Sequence, residues 1–314
     1  MKFGLYASIA NPPRGENLDR CVDEVIAEAQ LAEAAGFDSC FFGEHHQDKD
    51  GFLPSPLIVA TAVAARTRTL RVGTSVILLP LHHPVRVAED AITLDIVSRG
   101  RLTLGVGIGY QPADFRAFSV PMEHRVGRFE ESVEILRRCW AGERFSFKGA
   151  HYSIEDVEIR PRPVQQPSIP LWFGGSVPAA ARRAGRLADG FVGTPSTSLD
   201  NTTSLIDAYR QAAHQASRPV EIVLMRDAWV AETPAEAEKV YGPEVMAAYQ
   251  YYWQNRLAEF RNIPEGTEFT LKNLAPARVI LGDPETCVRE FHRWQEVTGA
   301  GYCLLRLRHA HSGG

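Results

Sequence analysis

No apolar run in this chain approaches the ~20 residues a membrane-spanning helix needs, which sets aside a helical membrane protein. Charge of one sign is also lacking. The 34 Lys and Arg are outnumbered by 38 Asp and Glu, and the net charge of -4 with no basic run argues against nucleic acid as the main partner. Cysteines are few and scattered (Cys21, Cys40, Cys139, Cys287, Cys303), with no C-x-x-C pair and no zinc-ligand spacing. Reduced, buried thiols are the expected state. The opening Met1-Lys2-Phe3-Gly4-Leu5-Tyr6 reads as a strand rather than the basic and apolar start of a secretory leader, so a cytoplasmic location is expected. Low-complexity stretches and obvious linkers are missing too, so residues 1–314 are expected to form one domain.

What is present is an ordinary globular composition, 45% hydrophobic and 23% charged, and a rhythm of short apolar strands followed by helices. That alternation predicts a parallel sheet with crossover helices. Strands are expected at about Lys2–Ala7, Ser39–Gly43, Leu70–Leu78, Leu102–Gly107, Leu171–Gly174, Gly190–Gly193, Glu221–Ala231 and Tyr302–Leu307. Helical spacing marks Val22, Val25, Ile26 and Ala29, then Val85, Ala88, Ile92 and Ile96, then Phe129, Val133, Leu136 and Trp140. Prolines at 56, 84, 178 and 284 open helices. The fold class is therefore expected to be α/β, a (β/α)8 TIM barrel with insertions at about 145–170 and 236–273. The first insertion reads as a hairpin around Lys148-Gly149, and the second is aromatic in its middle (Tyr249, Tyr251, Tyr252, Trp253). After the eighth strand the few remaining residues leave no room for a full eighth outer helix.

Active sites of such barrels lie at the C-terminal ends of the strands. Strand two is followed by Gly43-Glu44-His45-His46-Gln47, an acid/base group with side chains that titrate near neutrality or serve as a hydrogen-bonding scaffold. Strand three leads to Thr74-Ser75-Val76 and then to His82-His83-Pro84. Neighbouring residues on a strand point to opposite sides, so each histidine pair is expected to supply one inward ligand at most, and no metal is expected. Gly105-Val106-Gly107-Ile108-Gly109 departs from the dinucleotide fingerprint G-x-G-x-x-G, but its glycines would let a flat ring lie against the backbone. Gly174-Gly175-Ser176 precedes a helix opened by Pro178, which suits either an anion such as a phosphate or a tight turn with an N-cap serine.

Taken together these blocks resemble the bacterial luciferase-like monooxygenases. The segment from Thr69 to Asp90, with Leu-Leu-Pro-Leu-His-His-Pro-Val-Arg at its centre, is similar to the family's third βα unit. The likeness continues through Leu94-Asp95, Ser98-Arg99-Gly100-Arg101, Gly109 and Asp114-Phe115-Arg116, and includes Glu44-His45-His46 and Trp172-Phe173-Gly174-Gly175-Ser176. It covers residues 1 to about 195 and returns at Gly282-Asp283-Pro284-Glu285.

The resemblance implies a flavin on the strand C-termini, its ring near Glu44, Thr74, Ser75, Val76, Gly107, Ile108 and Gly109, and its phosphate near Phe173, Gly174, Gly175 and Ser176. It implies a cis peptide at Ser75–Val76, an acid/base role for His45, and positions for His83 and Asp114 beside the flavin edge and substrate. Luciferases carry an arginine and a reactive cysteine where this chain has Ile108 and Gly107, so the likeness is one of scaffold and cofactor geometry rather than light emission. The phosphate would then rely on Ser176, on backbone amides, or on Arg125 or Arg128. The activity implied first is a monooxygenase using reduced FMN, supplied by a separate reductase, and O2 to oxidise a small organic substrate; the alternatives are an F420-dependent dehydrogenase or reductase of the same superfamily, in which a hydride moves and oxygen plays no part, and a flavin-binding barrel without turnover. A homodimer is expected. The 236–273 segment falls where relatives carry a substrate-covering loop, and its aromatics suit either a cap or packing on the barrel.

Overall fold

The computed structural model describes residues 1–7, 18–47, 54–254, 257–260, 263, 266–274 and 277–307. The first half runs β1 (Lys2–Tyr6), α1 (Leu18–Ala34), β2 (Ser39–Phe42), α2 (Pro56–Arg66), β3 (Arg71–Thr74), β4 (Ile77–Leu78), α3 (Pro84–Ser98), β5 (Leu102–Gly107), α4 (Pro112–Ala117) and α5 (Arg125–Ala141). A hairpin of β6 (Phe145–Lys148) and β7 (Ser153–Val157) follows. The second half is β8 (Leu171–Gly174), α6 (Pro178–Leu187), β9 (Gly190–Val192), α7 (Leu199–Gln215), β10 (Ile222–Val230), α8 (Pro234–Gln254), α9 (Leu271–Leu274), β11 (Ile280–Gly282), α10 (Pro284–Thr298) and β12 (Tyr302–Arg306).

Strands β1, β2, β3, β5, β8, β9, β10 and β12 pair in parallel in that order, and β12 returns to β1 through Lys2 opposite Tyr302 to Leu5 opposite Leu305. The sheet is thus a closed eight-stranded barrel, as the strand–helix rhythm predicts. Closure leaves the barrel strands buried on both faces, which is why they read as continuous apolar runs. Outward residues such as Cys40, Val72, Leu104, Phe173, Leu224 and Leu305 join the layer between sheet and helices. Phe291 of α10 meets Phe3 of β1 edge-on at 5.2 Å, so α10 reaches the seam next to β12. The residues after 307 lie outside those described.

Inward positions decide where a ligand can sit. The rings of Phe41 and Trp172 stack at 5.2 Å and 4° in the barrel interior. Neighbouring strands answer with glycine, because a Cβ at Gly73 would lie 2.6 Å from the Phe41 ring and one at Gly190 2.6 Å from the Trp172 ring. Large and small residues therefore interdigitate into a solid plug. With the interior filled, binding is confined to the rim.

The two insertions behave differently. β6 and β7 form the predicted antiparallel hairpin. The 236–273 segment falls within the stretch from α8 to α9, helices that enclose a small apolar cluster of Tyr241, Val245, Tyr249, Phe260 and Leu274. Trp229 at the end of β10 stacks on Tyr241 at 5.5 Å, so this segment packs on the barrel. Tyr249 is buried, Tyr252 half-buried and Trp253 48% exposed, while the Tyr251 side chain lies outside the described residues. Among the described residues no helix is long and apolar enough to cross a membrane.

Candidate active site

The C-terminal rim is shaped by an irregularity between β3 and β4. Gly73 faces Thr103, but Ile77 faces Val106, so the pairing with β5 slips by one residue across Ser75–Val76. The Ser75–Val76 peptide is cis, in line with the sequence resemblance. Thr74 repairs the broken ladder: its hydroxyl donates to the Gly105 carbonyl at 2.7 Å and accepts from the Gly105 N–H at 3.0 Å. Ser75 N–H donates to the Phe42 carbonyl and Glu44 N–H to the Val76 carbonyl, tying the end of β2 to the same place.

Val76 lies over the ends of two further strands. A Cβ at Gly107 would stand 2.6 Å from its Cγ2, and a Cβ at Gly174 would stand 2.6 Å from its Cγ1. Beyond them Gly193, after β9, faces open space. Glycine at these inward positions keeps the rim low, a cradle that side chains would fill. A flat ring system fits such a floor, and the Gly175–Ser176 turn before α6 offers a helix N-terminus beside it for a phosphate. Gly175 allows that turn to close, since a Cβ there would meet Ala180 at 2.5 Å. Phe173, by contrast, points outward and packs edge-on against Phe129 at 4.8 Å, so only its backbone belongs to the rim. Ile108 packs against the outer core, and Gly109 takes a φ of +75° beside Phe115.

Next to the cradle sits a compact polar cluster. Glu44 is buried, and its Oε2 accepts from the Leu78 N–H at 2.5 Å. Its Oε1 lies 2.8 Å from His46 Nε2 and 2.6 Å from His82 Nε2. Burial alone would raise the Glu44 carboxyl, but the hydrogen bonds of His46 and His82, the charge of His82 and the Leu78 N–H outweigh it and bring it to about 2. The carboxylate is thus ionised at neutral pH. Phe118, just beyond α4, covers both imidazoles, with centroids at 4.7 Å from His46 and 6.0 Å from His82. Asp114 is buried on the same side and accepts from Gln47 Nε2 at 3.3 Å.

The predicted residues are therefore gathered, with a change of emphasis. Glu44, Asp114, Thr74, Ser75, Val76, Gly107 and Gly174 meet on one rim. Each histidine pair sends one member to Glu44, and these are His46 and His82. His45 is half-buried, and His83 is exposed with its ring edge-on to Tyr152 at 5.8 Å. Arg128 donates to the Pro80 carbonyl and lies 4.8 Å over the Tyr152 ring, while Arg125 donates to the Met122 carbonyl, so both are engaged locally.

One feature of the rim escaped the motif reading. Asp227 and Arg306 face each other at the inward ends of β10 and β12. Arg306 also donates to the Tyr252 hydroxyl at 2.7 Å. Tyr6 stands near this group, and burial first, then Tyr252, pushes its phenol up while Arg306 pulls it down. The available signal was parity: Asp227 and Arg306 share the inward phase of Val223, Met225, Tyr302 and Leu304.

The closed parallel barrel, its glycine-lined rim, the buried carboxylate and the convergent histidines agree with the fold and rim of the luciferase-like flavin-dependent superfamily. The chain belongs to the luciferase-like monooxygenase family, whose model matches residues 1–300. Among curated proteins it is 33% identical over 186 residues to the uncharacterised protein y4vJ of Sinorhizobium fredii, a match covering 59% of this chain and 53% of that one. The chain thus spans about half the length of that relative. It is 29% identical over 313 residues to an F420-dependent glucose-6-phosphate dehydrogenase of Microbacterium testaceum, covering 95% of this chain and 89% of the relative. Among solved structures it is similar to the monooxygenase RslO1 from Streptomyces bottropensis, with a TM-score of 0.87, 27% identity and coverage of 99% and 94%. Solved proteins of this fold hold FMN or F420.

Proposed function

We propose that this chain is an F420-dependent oxidoreductase that passes a hydride between the deazaflavin and a small organic substrate. The observation that carries this reading is the similarity to an F420-dependent dehydrogenase over 95% of the chain. The order of preference differs from the one the sequence motifs suggested, in which reduced FMN and O2 came first.

Val76, Gly107 and Gly174 would form the floor beneath the ring, and the Gly175–Ser176 amides with the Ser176 hydroxyl would hold the phosphate. When bound, the cofactor supplies or accepts the hydride. His45 would give or take the accompanying proton at the substrate oxygen. Asp114 and His83 would contact the substrate side of the rim. The plug of Phe41 and Trp172 closes the barrel beneath and excludes water from below.

A second reading, the FMN-dependent monooxygenase with a separate reductase, is favoured by the similarity to RslO1. An anaerobic titration with F420 and, separately, with reduced FMN distinguishes the two. Saturable F420 binding with substrate-dependent bleaching of its visible band supports hydride transfer. Binding of reduced FMN but not F420, followed on admission of labelled O2 by label in the product, overturns it in favour of the second.

A further inference from the structure

We propose that Glu44, His46 and His82 form a binding site for a divalent transition metal of the zinc class. The inference is independent of which cofactor occupies the rim.

Three donor atoms of the right chemistry converge from two separate loops. Glu44 and His46 follow β2, and His82 follows the turn after β4. Their ligating atoms all lie within 4.8 Å of one another. Two imidazole nitrogens and one carboxylate oxygen are a ligand set for zinc and its neighbours, whereas magnesium and calcium prefer oxygen alone. Considering histidines alone leaves two ligands, too few for such an ion; the buried carboxylate between them supplies the third.

The geometry around the donors supports the same assignment. Both Nε2 atoms address a single oxygen, Glu44 Oε1, at 2.8 and 2.6 Å. A metal about 2.0–2.1 Å from each donor would set the three separations at about 3.3 Å in a tetrahedron, so the two Glu–His distances of 2.8 and 2.6 Å would open slightly and the third pair, already within 4.8 Å, would close onto the ion. The other carboxylate oxygen is already held by the Leu78 N–H at 2.5 Å, which fixes the orientation of the ligand from behind. Phe118 walls the two rings on one face. The Glu44 side chain is 1% exposed, His46 11% and His82 30%, so the approach lies on the His82 side. Three protein ligands leave a coordination position for water or for a carbonyl or hydroxyl oxygen of a ligand.

The test uses the full chain, stripped with a chelator, dialysed, and titrated with Co2+ in the absence of any flavin. The expected result is one Co2+ per chain, visible ligand-field bands of low coordination number, and displacement by Zn2+. His46→Ala and His82→Ala, checked for folding by circular dichroism, should each weaken binding by about 100-fold. His45→Ala and His83→Ala, outside the cluster, should leave it within about threefold. Absence of saturable Co2+ binding to the unmodified chain overturns the proposal, as does full affinity in the His82→Ala variant; the three groups are then joined by hydrogen bonds alone. Because no flavin is present, neither outcome depends on the choice between F420 and FMN.

Discussion

Arg306 and Asp227 form a two-pronged ion pair inside the barrel, Nε to Oδ1 at 2.6 Å and Nη2 to Oδ2 at 3.0 Å. Both residues are buried. Burial opposes the arginine charge, but the Asp227 carboxylate overcomes this and holds the guanidinium protonated. Removing one partner strands the other charge away from water. Asp227→Leu should therefore cost about 3–5 kcal/mol in urea unfolding. The double variant Asp227→Leu with Arg306→Met should recover much of that loss; a double variant worse than the single one would refute this account.

The third prong of Arg306 reaches Tyr252 of α8 at 2.7 Å, so the ion pair also anchors the helical insertion to the barrel. Tyr252→Phe should cost about 1.5–3 kcal/mol, the value of a hydrogen bond to a charged group. Hydrogen exchange in α8 should accelerate more than in α5. Uniform acceleration across the chain would show that the contact has no local anchoring role.

Glycine at the rim makes a steric prediction. Gly107→Ala brings a Cβ to 2.6 Å from Val76, so the valine must rise into the space above it. Cofactor affinity should fall about tenfold or more, equivalent to at least ~1.4 kcal/mol. Pairing it with Val76→Ala should restore much of the binding. A Gly107→Ala variant that binds normally would place the ring elsewhere.

Thr74 bridges the slip in the β3–β5 ladder with two hydrogen bonds to Gly105. Thr74→Val keeps the shape and leaves a buried N–H and carbonyl without that partner. Stability should fall by about 1–3 kcal/mol, and the effect is read by thermal unfolding with circular dichroism.

Acid stability should depend on Glu33. One of its oxygens accepts from the backbone N–H groups of Arg68, Thr69 and Leu70 at 2.8, 2.7 and 2.9 Å. Desolvation would raise its carboxyl, but these bonds outweigh it and bring it from 4.5 to about 2. A depressed folded value means stability is present above 4.5 and is lost as pH falls towards 2. The stability gap between the unmodified chain and Glu33→Gln should be open at neutral pH and should narrow through that window. A gap that stays constant would exclude the linkage.

Much of the barrel is legible in the sequence because strands buried on both faces must be apolar and the helices between them keep one apolar stripe. The strand at Leu70–Leu78 is the exception. Its composition reads as continuous, yet it divides into β3 and β4, because the slip belongs to its pairing with β5 rather than to its own residues. The candidate site was legible as short blocks, Glu44 to His46, Thr74 to Val76 and Gly174 to Ser176, but not as individual side-chain directions. Adjacent residues in a pair such as His82-His83 have the same chemistry, and only the loop's path decides which of them meets Glu44.

By itself, then, the sequence determined the order of strands and helices and the chemistry available at each strand end, since these follow from local hydrophobic period and residue type. The tertiary structure decided which groups share a site. Asp227 and Arg306 are 79 residues apart, and Glu44 and His82 are 38 apart. Their partnership exists only once the barrel closes and fixes the register between strands, and no local property of either residue encodes that distance.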